Sequence, residues 1–323
     1  MKRERTFIYH LIAILVVILW GTTFISSKVL LQQGLDAHEI FFVRFLIAYA
    51  CIWTISPHKL FADTFRDECL LLLLGVTGGT LYFITENIAL KYTLVNNVSF
   101  IVCSSPLLAT LIALCIYRGM KATPMLIGGS IVALIGVGLV IFNGHFVLNL
   151  NPIGDTLALT ASLSWAVYSL LLKKLSDRYR SVFITRKVFF YGLLTVLPLF
   201  VVRPWNFPVS GFFRPQVLFN FLFLGLIASF ICFAVWSYII KKLGALRATN
   251  YIYLNPISTM IASAVFLSEP MTVISFLGCF LILSGVFLAG KNVSDGIKNR
   301  TVEVKNTSVE IKNTSVEIKD SAV

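Results

Sequence analysis

The sequence predicts an all-α integral membrane protein with ten transmembrane helices, arranged as two inverted-topology repeats of five helices each. Its composition, its long apolar runs and an internal repeat lead to this prediction. The 323 residues are 57% hydrophobic and 13% charged, with a mean hydropathy of +0.86. A soluble domain is about 25% charged. The chain has too little charge to cover a water-facing surface, which excludes an ordinary cytosolic enzyme, a disordered regulator and a coiled coil.

Ten apolar runs are long enough to cross a bilayer, whose hydrocarbon core of about 30 Å requires roughly 20 helical residues. The runs are continuous, whereas the strands of a membrane barrel alternate over about 10 residues. The predicted spans are Ile8–Leu31, Glu39–Ile55, Cys69–Leu90, Thr93–Tyr117, Ala122–Phe142, Pro152–Leu172, Ser181–Val202, Val217–Ile240, Ala245–Leu267 and Met271–Ala289.

The distribution of lysine and arginine predicts the orientation of the chain. With the N-terminus inside, the inner segments hold 20 of these cations and the outer loops hold 3. Cytoplasmic loops of membrane proteins carry this excess. Both termini are therefore expected in the cytoplasm. We interpret the net charge of +12 as the excess of cations on the cytoplasmic side of the membrane, and not as a sign of a nucleic-acid partner.

The two halves of the chain resemble each other at an offset of about 142 to 150 residues. Because each half has an odd number of spans, the second copy must lie upside down relative to the first. Inverted repeats are typical of secondary transporters. The matched features are Trp20 with Trp165, Arg44 with Arg186, Pro106 with Pro256, and the pair Gly129 and Gly136 with Gly278 and Gly285.

Glu86 is the only carboxylate well inside a predicted span, and Tyr82 lies one helical turn before it. Ionisable residues in a membrane are candidates for function. Glu86 is predicted either to bind a substrate amine or couple protons, or to be an interfacial residue that is wetted or paired with a cation. Arg44, at a similar depth, is a candidate gate or ion-pair partner, and the alternative is that it snorkels to the headgroups.

Pro106 and Pro256 are predicted to kink the fourth and ninth helices at matching depths. Each proline removes a backbone donor, and paired interruptions favour a binding site at the midplane. The alternatives are kinks healed without a ligand and tryptophans that serve only packing. The further candidate substrate-binding residues are Trp20, Thr23, Asn97, Ser105, Trp165, Tyr168, Trp236, Asn250, Tyr253 and Asn255.

Several short motifs resemble the EamA-type repeats of the drug/metabolite transporter superfamily. They are Trp20-Gly-Thr-Thr-Phe, Ala89-Leu-Lys-Tyr-Thr, Ser105-Pro-Leu, Leu254-Asn-Pro-Ile and Ser268-Glu-Pro. The resemblance covers about residues 10–290 and departs at Gly119-Met120, where the second half has Glu269-Pro270. It implies repeats over 8–143 and 152–290, each with five helices. Residues 291–323 form a low-complexity tail, predicted to be cytoplasmic.

From these observations we expect a secondary transporter that exports small organic metabolites, such as amino acids, by alternating access. The resemblance implies that it does so in the inner membrane. The alternative is a membrane-embedded enzyme acting on lipid-linked substrates, which would need clustered acids or histidines. The expected partners are a small-molecule substrate and the lipid bilayer, with protons as the candidate coupling ion and a second copy as a candidate partner. No catalytic residue, metal site, cofactor or disulfide framework is predicted, and no phosphate-binding loop for ATP occurs.

Overall fold

The computed structural model describes residues 2–56, 60–93, 95–116, 123–142, 151–267, 273–274 and 276–289. Side chains are not described at 2–6, 96, 97, 140–142, 260 and 263–267. Within these ranges the chain is helical and contains no β-strand. The tail at 291–323 and the Glu269-Pro270 motif lie outside the described residues.

The helical segments follow the apolar runs of the sequence closely. We number them α1 to α10, so that α1–α5 form the N-terminal half and α6–α10 the C-terminal half. They are α1 (Lys2–Gln32), α2 (Ala37–Ile55), α3 (Phe65–Tyr92), α4 (Val95–Val102 and Ser105–Ile116), α5 (Pro124–Phe142), α6 (Pro152–Ser176), α7 (Ser181–Val202), α8 (Pro215–Leu243), α9 (Ala245–Thr249, Asn250–Leu254 and Asn255–Leu267) and α10 (Phe276–Ala289).

Seven of the described helices, namely α1, α2, α3, α4, α6, α7 and α8, are long and apolar enough to cross a membrane. In the other three, the described apolar stretch is shorter or interrupted. The multi-pass membrane architecture agrees with the prediction, and the count of ten spans stays a prediction.

Polar side chains start several helices by accepting the first free backbone N–H groups. The Thr64 hydroxyl accepts from the Asp67 amide (3.2 Å) ahead of α3. Asn151 accepts from the Gly154 amide (3.0 Å) ahead of α6, where Pro152 occupies the first helical position. These caps explain why the helices begin where they do.

The outer surface of the bundle is apolar. Large side chains such as Val201 and Phe219 are 84% and 71% exposed. In water such a surface would be unfavourable, and in lipid it is the expected one. The interior, in contrast, holds buried polar residues, including Arg44, Glu86 and Asn250.

Two π-helical turns lie at matching places in the two halves, at Val76–Thr80 in α3 and at Phe223–Ile231 in α8. A π-helical turn is wider than an α-helical turn and leaves carbonyl groups for other donors. The Thr77 carbonyl accepts from Ser164 of α6 (2.7 Å), and the Ala228 carbonyl accepts from the indole of Trp20 in α1 (2.9 Å). The turns therefore join α3 to α6 and α8 to α1.

Both predicted proline kinks coincide with interruptions of a helix. In α4 the helix stops at Val102 and resumes at Ser105, while α9 passes through a 3-10 segment before it resumes at Asn255. Each proline is therefore the second residue of a new helical segment and does not bend a continuous helix. The Val102 carbonyl accepts from Ser162 (3.3 Å).

Candidate functional site

The helices α1, α3, α4, α6, α8 and α9 converge on a small cavity of about 30 Å³. Every lining residue is buried, with at most 9% of its surface exposed. The volume suits one or two water molecules, so the cavity in this structure is too small for a metabolite. It is lined by Trp20, Thr23, Phe24, Tyr82, Phe83, Glu86, Val102, Trp165, Phe233, Ile252 and Asn255.

Aromatic rings form most of the cavity wall. Trp20 and Trp165, which are matched residues of the two halves, meet edge to face with ring centroids 5.2 Å apart. Tyr82 and Phe233 lie 5.0 and 5.8 Å from Trp165. Such edge-to-face and tilted pairs stabilise a packed aromatic cluster, and here the cluster brings both halves of the chain to one place.

Glu86 of α3 lines the cavity and is 3% exposed. Its Oε2 atom has no hydrogen-bond partner. A buried acceptor without a partner costs about 1–3 kcal/mol, and more when it is charged. The position is therefore unfavourable unless a cation, a proton or a water molecule satisfies the oxygen.

Arg44 of α2 is 1% exposed and does not snorkel. Its Nε donates to the Ser229 hydroxyl (3.0 Å), and its guanidinium carbon lies 4.1 Å from the ring centroid of Phe83. Among the described residues no ion pair joins Arg44 and Glu86. The arginine is held by a hydroxyl group and an aromatic face, and its electrostatic interaction with Glu86 acts over a longer distance than an ion-pair contact.

Two further lining residues carry buried polar atoms without partners, namely Asn255 at Oδ1 and Trp165 at Nε1. Together with Glu86 they contribute two unpartnered acceptors and one unpartnered donor to the residues that line the cavity. Thr23 is different, because its hydroxyl already donates to the Trp20 carbonyl (2.6 Å). Such convergent polar atoms in an otherwise apolar wall are typical of small-molecule sites.

The structure brings six of the predicted substrate-binding residues to the cavity: Trp20, Thr23, Tyr82, Glu86, Trp165 and Asn255. Five others, Ser105, Tyr168, Trp236, Asn250 and Tyr253, are buried but do not line it. The side chain of Asn97 lies outside the described residues.

The apolar part of the wall was not predicted. Phe83 and Phe233 are separated by 150 residues and so match each other in the repeat, which is a signal that could have identified both. Val102 and Ile252 are also separated by 150 residues, four residues before Pro106 and Pro256, and carry the same signal. Phe24 carries none, because an apolar residue in an apolar helix does not reveal which neighbour it faces.

Gly21, in the Trp20-Gly-Thr-Thr motif, allows α9 to approach α1. A Cβ atom at this position would lie 1.8 Å from the Ser258 hydroxyl oxygen and 2.7 Å from the Asn255 carbonyl oxygen. The Thr259 hydroxyl also donates to the Gly21 carbonyl (2.7 Å). The glycine therefore lets α9 place Asn255 at the cavity.

A charged cluster that the sequence analysis did not identify joins the halves at one end of α7. Asp67 accepts from Arg178 (2.9 Å) and from the Tyr179 hydroxyl (2.9 Å). The neighbouring Glu68 accepts from Lys187 and from Tyr191. It was missed because the third span was predicted to begin at residue 69, whereas α3 begins at Phe65.

At the opposite end of α7 a buried carboxylate also joins the halves. Glu39 of α2 is fully buried. It accepts from the backbone amides of Asn206 (2.7 Å) and Phe207 (3.1 Å) in the α7–α8 loop. The cavity therefore lies between two sets of polar contacts, one at each end of the bundle.

Comparison with known proteins agrees with this architecture. The model of the EamA-like transporter family matches residues 7–142 and 152–290. An uncharacterized transporter of Archaeoglobus fulgidus is 27% identical over 86% of this chain and 96% of its own length. A solved crystal structure superimposes with a TM-score of 0.67 at 18% identity, covering 87% of this chain and 96% of that one, and so shares the fold.

Two relatives have more specific names. A probable terminal-alkyne amino-acid exporter of Streptantibioticus cattleyicolor is 25% identical over 86% of this chain and 92% of its own length. A probable amino-acid metabolite efflux pump of Escherichia coli is 23% identical over 86% of this chain and 93% of its own length. Because the family model matches both halves, this multi-pass membrane protein belongs to the EamA-like transporter family.

Proposed function

We propose that this protein is a secondary transporter that exports small organic metabolites, with amino acids as the first class to test. The observation that carries the proposal is the cavity between the two halves, where buried polar atoms of the lining residues lack partners inside an aromatic wall. The names of the exporter and the efflux pump among its relatives support the choice of class and direction. No enzymatic step is part of the proposal.

The proposed mechanism is alternating access. Ligand sites generally measure about 300–1,000 Å³, so a cavity of about 30 Å³ must open before a metabolite enters. Contacts between the halves lie on both sides of it, from Asp67 to Arg178 and from Glu39 to Asn206. Release of one set while the other holds would open the cavity to one side of the membrane at a time.

The proposed topology has ten spans as two inverted repeats, 8–143 and 152–290, in the inner membrane with both termini in the cytoplasm. The excess of inner over outer cations, 20 against 3, supports the orientation. The π-helical turns and helix interruptions at matching places in both halves support the repeats.

We propose protons as the coupling ion, with Glu86 as the group that exchanges them. It is a buried carboxylate at the cavity with an unpartnered oxygen, and a proton is one way to satisfy that oxygen. Arg44, fixed by Ser229 and Phe83, is proposed as a gating residue, because its bond to Ser229 links α2 of one half to α8 of the other.

The test is a counterflow assay in proteoliposomes with a panel of metabolites, with and without an imposed pH gradient. Saturable exchange of one solute class, increased by the gradient, is the expected result. Glu86→Gln should abolish the effect of the gradient while exchange of the bound class persists in weakened form. Asp177→Asn is the matched control, because Asp177 is an exposed carboxylate that pairs with Lys173 on the surface and does not line the cavity.

Two results would contradict the proposal. If no solute is exchanged while a known transporter works in the same vesicles, the carrier function is wrong and the membrane-enzyme alternative should be tested. If Glu86→Gln responds to the gradient as the unchanged protein does, coupling through Glu86 is wrong.

A further inference from the structure

The cavity is lined by a carboxylate and a side-chain amide that each have a buried oxygen without a hydrogen-bond partner, and its walls are aromatic rings. We infer that it binds the protonated amino group of the substrate, so that a primary ammonium head is the feature recognised, with or without a substrate carboxylate. This inference rests on the proposed transport function and specifies the substrate class of the same site.

The charge of Glu86 is the first observation. Its Oε2 atom is buried and has no partner. The nearby cation, Arg44, is held by Ser229 at 3.0 Å and by the face of Phe83 at 4.1 Å. A buried carboxylate is stable only when it is paired and hydrogen-bonded. A substrate ammonium group at the cavity would supply both the opposite charge and the donor.

The number of acceptors is the second observation. A primary ammonium has three N–H donors and no acceptor. Glu86 Oε2 and Asn255 Oδ1 are unpartnered acceptors in the wall. Thr23 adds a third, because its own proton is already donated to the Trp20 carbonyl and its oxygen can only accept. The lining residues therefore offer as many acceptors as an ammonium head has donors.

The aromatic wall is the third observation. Trp20, Tyr82, Trp165 and Phe233 surround the cavity with ring centroids 5.0 to 5.8 Å apart for contacting pairs. Faces of aromatic rings attract cations and form the cages that recognise organic ammonium groups. The same cluster already holds one cation, because Arg44 lies over Phe83.

The cavity size favours a compact head. A volume of about 30 Å³ suits a group no larger than one or two water molecules. A primary ammonium fits this space, whereas the rest of the substrate requires the cavity to open. The small cavity therefore corresponds to the position of the head group and does not restrict the remaining part of the substrate.

The test uses four probes that differ only in their head groups: 2-phenylethylamine, its N-acetyl derivative, 3-phenylpropionate and L-phenylalanine. Binding to the purified full chain is followed by tryptophan fluorescence, because Trp20 and Trp165 line the cavity. Counterflow in proteoliposomes is measured with the same probes. We expect binding and exchange of 2-phenylethylamine and phenylalanine, and at least tenfold weaker binding of the acetylated and anionic probes.

Matched variants test the aromatic face. Phe233→Leu keeps an apolar side chain but removes a ring from the wall, and we expect about a 2- to 30-fold loss of affinity for 2-phenylethylamine. Phe189→Leu is the control, since Phe189 is buried 5.7 Å from Phe233 in the same cluster but does not line the cavity. The affinity of Phe189→Leu for 2-phenylethylamine should stay within twofold of that of the unchanged protein. Should Phe233→Leu fail to fold, Thr23→Ala replaces it and should weaken the amines alone.

The outcomes distinguish this inference from the function on which it rests. Equal binding of the amine and its N-acetyl derivative, or preferential exchange of the anionic probe, overturns the ammonium site and leaves the carrier standing. Exchange in a wider panel of only those solutes that lack an amino group would likewise overturn the ammonium site and leave the carrier standing. Absence of exchange for every solute overturns both.

Discussion

The contact between α5 and α10 gives a prediction that separates helix propensity from packing. Gly128 and Gly129 are neighbours on α5, but only one of them faces α10. A Cβ atom at Gly129 would lie 2.5 Å from the Ala289 backbone nitrogen and 2.8 Å from the Gly285 carbonyl oxygen, whereas one at Gly128 would meet nothing within 4 Å. Small residues of this kind let membrane helices pack backbone to backbone.

The expected magnitudes follow from these distances. Replacing a helical glycine with alanine gains up to about 1 kcal/mol from helix propensity. At Gly128 we expect that gain alone. At Gly129 the added methyl group would overlap backbone atoms, which cannot rotate away, and overpacking costs about 1–3 kcal/mol. Because the propensity gain is common to both, Gly129→Ala should be less stable than Gly128→Ala by about 1–3 kcal/mol.

The assay is reversible unfolding of the full chain in mixed micelles, with the free energy of unfolding measured for each variant. Gly285→Ala provides a second test, because its Cβ would lie 2.5 Å from the Gly129 carbonyl oxygen in the same contact. The double variant should cost less than the sum of the single variants, since both separate the same helices. Equal stabilities of Gly128→Ala and Gly129→Ala would refute the predicted α5–α10 packing.

Three further predictions concern other contacts. Gly21→Ala should displace α9 and reduce metabolite exchange at least tenfold, measured as counterflow. Protein yield, and helix content measured by circular dichroism, should stay unchanged. Exchange at the level of the unchanged protein would contradict this prediction. Glu68→Gln should lower the free energy of unfolding by about 3 kcal/mol, because it leaves buried Lys187 without its carboxylate partner. Adding Lys187→Met should recover part of this loss. Additive losses of the two variants would contradict the pairing. A hydrogen bond from Lys91 holds the pKa of Asp36 below its ordinary value of 3.8. This pair should therefore stabilise the protein above pH 3.8, by no more than about 1 kcal/mol, and the stabilisation should be lost on acidification. Asp36→Asn should remove this loss of stability at low pH, as measured by the free energy of unfolding between pH 3 and pH 6.

The helices themselves were largely predictable from the sequence. The predicted span Ser181–Val202 has the bounds of α7, and the predicted start of the sixth span, Pro152, is the first residue of α6. Long apolar runs determine these helices because every backbone polar group must be satisfied within the segment in lipid. Charged and turn-forming residues mark the ends of these helices, because polar groups without partners are excluded from lipid.

The paired features of the repeat were also accessible to sequence reasoning. Trp20 and Trp165 were matched by position, and they meet at 5.2 Å. Pro106 and Pro256 were matched, and both follow a helix interruption. Such features stand out because a tryptophan, a proline or a carboxylate is costly or unusual in a span and so signals its position without any knowledge of its neighbours.

What the sequence could not provide is the partner of each side chain. Arg44 was expected either to pair with Glu86 or to snorkel, and instead it contacts Ser229 and Phe83. The pairing of Glu68 with Lys187 joins residues far apart in the chain and has no signature in local hydropathy.

The sequence by itself therefore determined the membrane class, the helical segments and the residues worth testing, because hydropathy and the cost of a buried charge are properties of each residue and its near neighbours. Only the tertiary structure decided which of those residues share a cavity and which of their polar atoms remain unsatisfied. That outcome depends on how α1, α3, α4, α6, α8 and α9 rotate and approach each other. Contacts at glycines such as Gly21 and Gly129 set these approaches at the scale of single atoms.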